Sequence, residues 1–154
     1  MEDNKVRFVT YTQNQNDIVM SGVAAINKYL SESSDDEKRS LLFCLDRYLD
    51  PYYGYNLSFV DEIIHLLQER MFLDSDKEII EDILQLLTDY SKGQLDFLAE
   101  KIDGVDLEYQ ADALYALAMT YNIKYVPVFN KYEDHENSNV RGVAQEALRE
   151  LSNI

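Results

Sequence analysis

Apolar residues recur along this chain every three or four positions, the period of one buried face of an α-helix. The first run carries Ile18, Val19, Val23, Ile26 and Leu30, with Asn16 or Asp17 as its expected cap. The stretch "SESSDDEK" supplies small hydroxyls for a cap and then acids for a first turn, where they favour the helix dipole. It predicts a second helix bearing Leu41, Leu42, Leu45, Tyr48 and Leu49. "DPYYGYN" breaks the pattern with Pro51 and Gly54. A third helix follows on Phe59, Val60, Ile63, Ile64, Leu67 and Met71, and a fourth on Ile79, Ile80, Ile83, Leu84, Leu86 and Leu87. Leu95, Leu98 and Ile102 mark a short fifth, stopped at Asp103-Gly104. Tyr109, Ala113, Ala116, Leu117 and Tyr121 mark a sixth, and Val126, Phe129 and Tyr132 a seventh. The last, "NSNVRGVAQEALREL", presents a narrow seam of Val140, Val143, Ala144 and Ala147. Ahead of these helices, residues 1–15 alternate weakly at Val6, Phe8 and Thr10, which predicts a loose or strand-like segment.

One pattern repeats: an acidic or amide cap, then apolar residues at fixed steps. Asn137, Val140, Ala144, Ala147 and Leu148 fit it, as do Asp106, Tyr109, Ala113, Ala116 and Leu117, and Asp76, Ile79, Ile83, Leu86 and Leu87. A fainter copy has Lys38 in place of the cap, before Leu41, Leu45, Tyr48 and Leu49. The later copies are spaced by roughly 30 residues, a period that belongs to solenoids.

The final unit, "YVPVF" from Tyr125 followed by "ENSNVRGVAQEAL", resembles a short HEAT-like repeat of the phycobilisome-lyase type. Val126-Pro127, Asn137, Val140-Arg141, Ala144, Ala147 and Leu148 occupy that family's motif positions. The resemblance is clearest over residues 123–151 and partial over 76–121, where Ile79-Ile80 and Tyr109-Gln110 replace the Val-Arg pair and the proline is absent. It implies an all-α fold: an α-solenoid, or armadillo-type superhelix, of about four antiparallel helix pairs. Residues 1–154 would form one helical-repeat domain. No lyase activity is carried over, because this scaffold family shares no catalytic site. The motif has a physical logic. Proline suits a first turn, where its missing N–H has no partner to lose. Asn137 can cap the next helix, worth roughly 1 kcal/mol. The small side chains let helices of one unit and its neighbour approach closely.

Composition then narrows the function. With 154 residues and 46% hydrophobic content, the chain can bury a core as one domain. Its 14 basic residues face 29 acidic ones, for a formal net charge of −15. Such a surface repels nucleic acid and anionic membrane, and speaks against a DNA glycosylase built on similar repeats. It attracts a basic protein and accelerates that encounter. The opening residues lack the apolar core of a secretory signal, and no run is long enough to span a bilayer, so a cytoplasmic location is expected.

Candidate chemistry is sparse. His65, within "IIHLL", has no ligand-like partner beyond Asp61, Glu62 and Glu69. His135 sits in the polar turn "EDHEN", and Cys44 in an apolar helix without an evident base. No phosphate loop, GxSxG, HExxH or CxxC occurs. We therefore expect no catalytic, cofactor or metal site. The stronger feature is an acidic stripe of Glu78, Glu81, Asp82 and Asp89 on one helix with Glu108 and Asp112 on the next. Tyrosines crowd one loop, at Tyr52, Tyr53 and Tyr55, and tyrosine offers rigid apolar area with a hydroxyl. The expected function is non-catalytic binding of a basic protein partner, in its most specific form an immunity or antitoxin-like protein that covers a toxin. Two alternatives stay open at this level: an assembly adaptor, and a lyase-type or other enzyme with a cryptic pocket.

Overall fold

In the computed structural model, which describes residues 10–153, every described residue lies in a helix, a 3-10 segment or a connection, and none in a strand. Gly22 divides the expected first helix into α1 (Gln13–Ser21) and α2 (Val23–Glu32). Its φ of +107° is a conformation that only glycine adopts freely, so the apolar periodicity runs on while the axis breaks. Helix α1 also starts before the expected Asn16 or Asp17 cap. Thr12 holds that place, and the Gln15 side chain accepts the Thr12 N–H at 2.6 Å. Residues 13–15 are therefore helical rather than loose or strand-like, and the alternation at Val6 and Phe8 falls outside the described residues.

Helix α3 (Asp35–Leu49) opens as its sequence predicts. The Ser34 hydroxyl accepts the Glu37 N–H at 3.2 Å, and the Glu37 carboxylate accepts the Ser34 N–H at 3.0 Å. These bonds hold the Glu37 carboxyl below its usual range. Leu41, Leu42, Cys44, Leu45 and Tyr48 are buried. Helices α2 and α3 each pack on α1, and a 3-10 turn (Pro51–Tyr53) follows. Together they belong to a compact unit that ends at Phe59.

The second unit runs from Val60. It holds α4 (Val60–Met71), α5 (Lys77–Tyr90), the short α6 (Asp96–Glu100), α7 (Leu107–Ala118), α8 (Val126–Tyr132) and α9 (Ser138–Leu151). Helix α5 packs on α7 and α7 packs on α9; α4 packs on α5 and α6, and α8 on α9. The three copies of the repeated pattern are thus three helices in successive contact. Their apolar positions are the core: Ile79, Ile83, Leu86 and Leu87; Tyr109, Ala113, Ala116 and Leu117; Val140, Ala144 and Ala147 are all buried. The small-residue seam of α9 receives α7 and α8. Pro127 stands in the first turn of α8 as the motif requires.

The caps do not recur as regularly as the apolar positions. Asp76 accepts the Ile79 N–H at 3.1 Å, and Asn137 accepts those of Asn139 and Val140 at 2.9 and 3.1 Å. Asp106 occupies the same place at the head of α7 and accepts none with its side chain. Tyr121, expected on the buried seam of α7, lies past that helix's end and is 49% exposed, with φ +51°. No helix among the described residues is long and apolar enough to cross a membrane.

Candidate functional site

Burial of one face of α5 dictates what its other face shows. With Ile79, Ile80, Ile83, Leu84, Leu86 and Leu87 turned inward, Glu78, Glu81 and Asp89 are exposed and Asp82 is half-buried. Glu78 also sits in the first turn, where the helix dipole favours it. The Gln85 amide donates to Asp89 at 3.0 Å along the same face. Helix α7 repeats the arrangement, burying Tyr109, Ala113, Leu114, Ala116 and Leu117 and exposing Glu108, Asp112 and Tyr115.

Helix α5 packs on α7, and one carboxylate from each, Glu81 and Glu108, lies close enough to the buried Tyr109 to act on its phenol. The Tyr109 phenol is pushed above its usual pKa, first by burial and then by the charges of Glu108 and Glu81. A carboxylate from each helix therefore acts on the same hydroxyl.

A groove of about 450 Å³ lies between α7 and α9. Tyr115, Met119 and Tyr121 contribute to one side, and Val143, Glu146 and Glu150 to the other. Gly142 lines it too, and a side chain there would meet nothing within 4 Å, so the gap is real space rather than a packing fault. The seam of α9 is therefore only partly filled: Val140, Ala144 and Ala147 are buried, while Val143 remains half-open. The pattern of apolar residues did not reveal this groove. Tyr115 carried a weak signal, three residues after Asp112 on the outer face of α7; Tyr121 carried none, because it follows the helix.

The tyrosine loop belongs to the first unit, whereas the acidic stripe belongs to the second. Asp50 accepts the Tyr52 N–H at 2.9 Å, and Gly54 closes the turn in a left-handed conformation at φ +73°. This leaves Tyr52 86% exposed, edge-on to Tyr53 at 5.1 Å. Arg47 lies 4.7 Å from the Tyr53 ring centre, and Tyr55 rests against Tyr48 at 4.4 Å. The loop thus gathers around a cation of its own.

Neither histidine nor the cysteine has the surroundings of a reactive centre. His65 faces Glu69 at 3.7 Å and meets the edge of Phe97. His135 accepts the Asn137 N–H through Nδ1 at 3.0 Å, and its carbonyl accepts from Arg141 at 2.9 Å, which ties the turn before α9. Cys44 is buried beside Asn16, and burial pushes its thiol up to about 11. Among the described residues, no three side chains of His, Cys, Asp or Glu gather as metal ligands would. No family model matches the chain, and neither the curated proteins nor the solved structures gave a match.

Proposed function

We propose that this chain is a non-catalytic protein-binding module, an α-solenoid of HEAT-like repeats, whose acidic face on α5 and α7 holds a basic protein partner in the cytoplasm. The observation that carries the reading is the packing of α5 on α7 with Glu81 exposed on the one and Glu108 on the other. Exposed Glu78, Asp89 and Asp112 continue the same acidic character on either helix, in a chain of net charge −15. Like charges held on one face repel each other, so such an arrangement gains most when a cationic surface covers it. A protein that neutralises a basic toxin needs an anionic surface to cover it, which makes an immunity or antitoxin-like role the most specific form of the proposal. The tyrosine loop would add a second contact surface.

The test is capture of partners from the native cell at low salt, with mass spectrometry of what elutes as salt rises. Association of the captured partner is then timed against the triple variant Glu81→Lys, Glu108→Lys, Asp112→Lys. The expected result is an on-rate lower by at least about tenfold and steeply salt-dependent in the unaltered protein. An on-rate that ignores both salt and charge reversal overturns the reading. The apolar residues of the α7–α9 groove favour a second reading, an assembly adaptor, whose binding would resist salt and fail when Val143 is replaced by Asp.

A further inference from the structure

We propose that the groove between α7 and α9 is the anchor pocket of this module, and that it takes an arginine side chain from the basic partner. The inference rests on the basic-partner reading and names where that partner inserts. The groove joins three properties that a guanidinium on an aliphatic stem requires. Its length of apolar wall, from Val143 and Met119, can cover the stem. Its two tyrosine rings, Tyr115 and Tyr121, offer π faces on which the planar cation stacks. Its α9 edge carries Glu146 and Glu150. Glu146 is bonded to Arg149 one turn on, whereas no described residue pairs with Glu150, which is the carboxylate for an incoming cation. The volume of about 450 Å³ exceeds what one side chain fills, leaving room for the backbone that bears it.

Tyr121 supplies an independent argument. It holds φ +51°, the left-handed position just beyond a helix end that glycine normally takes. A tyrosine there costs conformational energy. The residue is 49% exposed, so about half of it stays open to solvent. Its backbone is held by the Tyr121 N–H to the Ala118 carbonyl at 3.0 Å, a bond that any residue could make. The open part of the ring is therefore available at the groove it lines.

The experiment titrates acetylated, amidated hexa-arginine into the isotope-labelled full chain and follows backbone amide shifts by NMR. Hexa-glutamate of the same length serves as the negative control. The largest shifts should fall on residues 115–121 and 142–150. Tyr121→Gly should weaken binding at least about threefold while melting no lower than the unaltered protein, because glycine is at ease at this φ. Glu150→Gln, a surface change that leaves the fold alone, should weaken it by a similar factor. Shifts confined to residues 78–89 and 108–112, with both variants binding normally, overturn the pocket and leave the acidic-face reading standing. An absence of any binding at low salt overturns both.

Discussion

The side-chain amide of Gln68 caps a helix that is not its own: its oxygen accepts the backbone N–H of Leu98, 30 residues away, at 2.9 Å. Its nitrogen donates to the carbonyls of Ile64 and Gln94, each at 3.2 Å. On the other side of the same helix end, the Tyr125 hydroxyl accepts the Leu95 N–H at 2.9 Å, also 30 residues away. Helix α6 is only five residues long and has no cap in its own sequence. Its free N–H groups are instead satisfied by α4 before it and by the turn leading to α8 after it. Polar bonds thus tie α6 to α4 and to the turn before α8, where five residues offer little packing of their own.

Gln68 is 2% exposed, so removing its amide leaves the Leu98 N–H of a buried bond without its acceptor and takes one donor each from the Ile64 and Gln94 carbonyls. Gln68→Leu keeps the approximate volume and should cost about 1–3 kcal/mol. A urea titration checks this: the midpoint should fall with the slope unchanged. An unchanged midpoint would mean that α6 finds other partners.

Two Lys-Tyr pairs, one just before α8 and one at its end, each grip an aspartate of the segment around α6. Tyr125 donates to Asp96 at 2.7 Å while Lys124 pairs with it at 2.9 Å; Tyr132 and Lys131 hold Asp103 in the same way. The lysine first and the tyrosine second keep both carboxyls below their usual range. A carboxyl whose folded pKa lies below its unfolded value of about 4 adds stability above pH 4 and loses it as pH falls through the folded value. Melting temperature should therefore fall over the interval below about pH 4. The double variant Asp96→Asn, Asp103→Asn should melt lower at pH 7 and show a shallower drop over that interval. Parallel curves for the two proteins would show that the clamps carry no acid sensitivity.

These clamps mark the limit of what the sequence discloses. The helices from α3 onward were legible because their buried positions recur at helical spacing and each is punctuated by Pro, Gly or a run of polar residues. Gly22 was not read as a break, since apolar spacing is blind to a φ of +107° when the pattern continues on both sides. The exposure of Glu78, Glu81, Asp89, Glu108 and Asp112 was also legible, because it is the complement of the buried face. The long-range bonds of Gln68, Asp96 and Asp103 were not, because polar residues pair by tertiary proximity and leave no period. The α7–α9 groove was hidden for a related reason: Tyr121 lies outside any helix, and the lack of a side chain at Gly142 is silent in a hydrophobic pattern.

Cys44 should resist alkylation in the folded protein. It is buried, and its thiol is pushed up to about 11, so little thiolate exists at pH 7.5. Iodoacetamide followed by intact-mass measurement should show slow labelling in buffer and rapid labelling in urea. Fast labelling in buffer would mean that the first unit opens readily. Cys44→Ala should lower stability by about 1 kcal/mol, the scale of a small buried truncation.

The unequal caps of the repeated helices give the last test. Asn137 and Asp106 stand at the same step of the pattern, yet only Asn137 binds backbone N–H groups with its side chain, those of Asn139 and Val140. Asn137→Ala should cost about 1 kcal/mol, whereas Asp106→Ala should cost less than about 0.5 kcal/mol. The Asp106 change also removes a negative charge from beside Tyr109, whose phenol is pushed up partly by that aspartate. Its hydroxyl should then titrate slightly lower, as ultraviolet absorbance against pH would show. If both variants lose stability equally, the α7 cap forms in solution, and the three helices are more alike than their hydrogen bonds indicate.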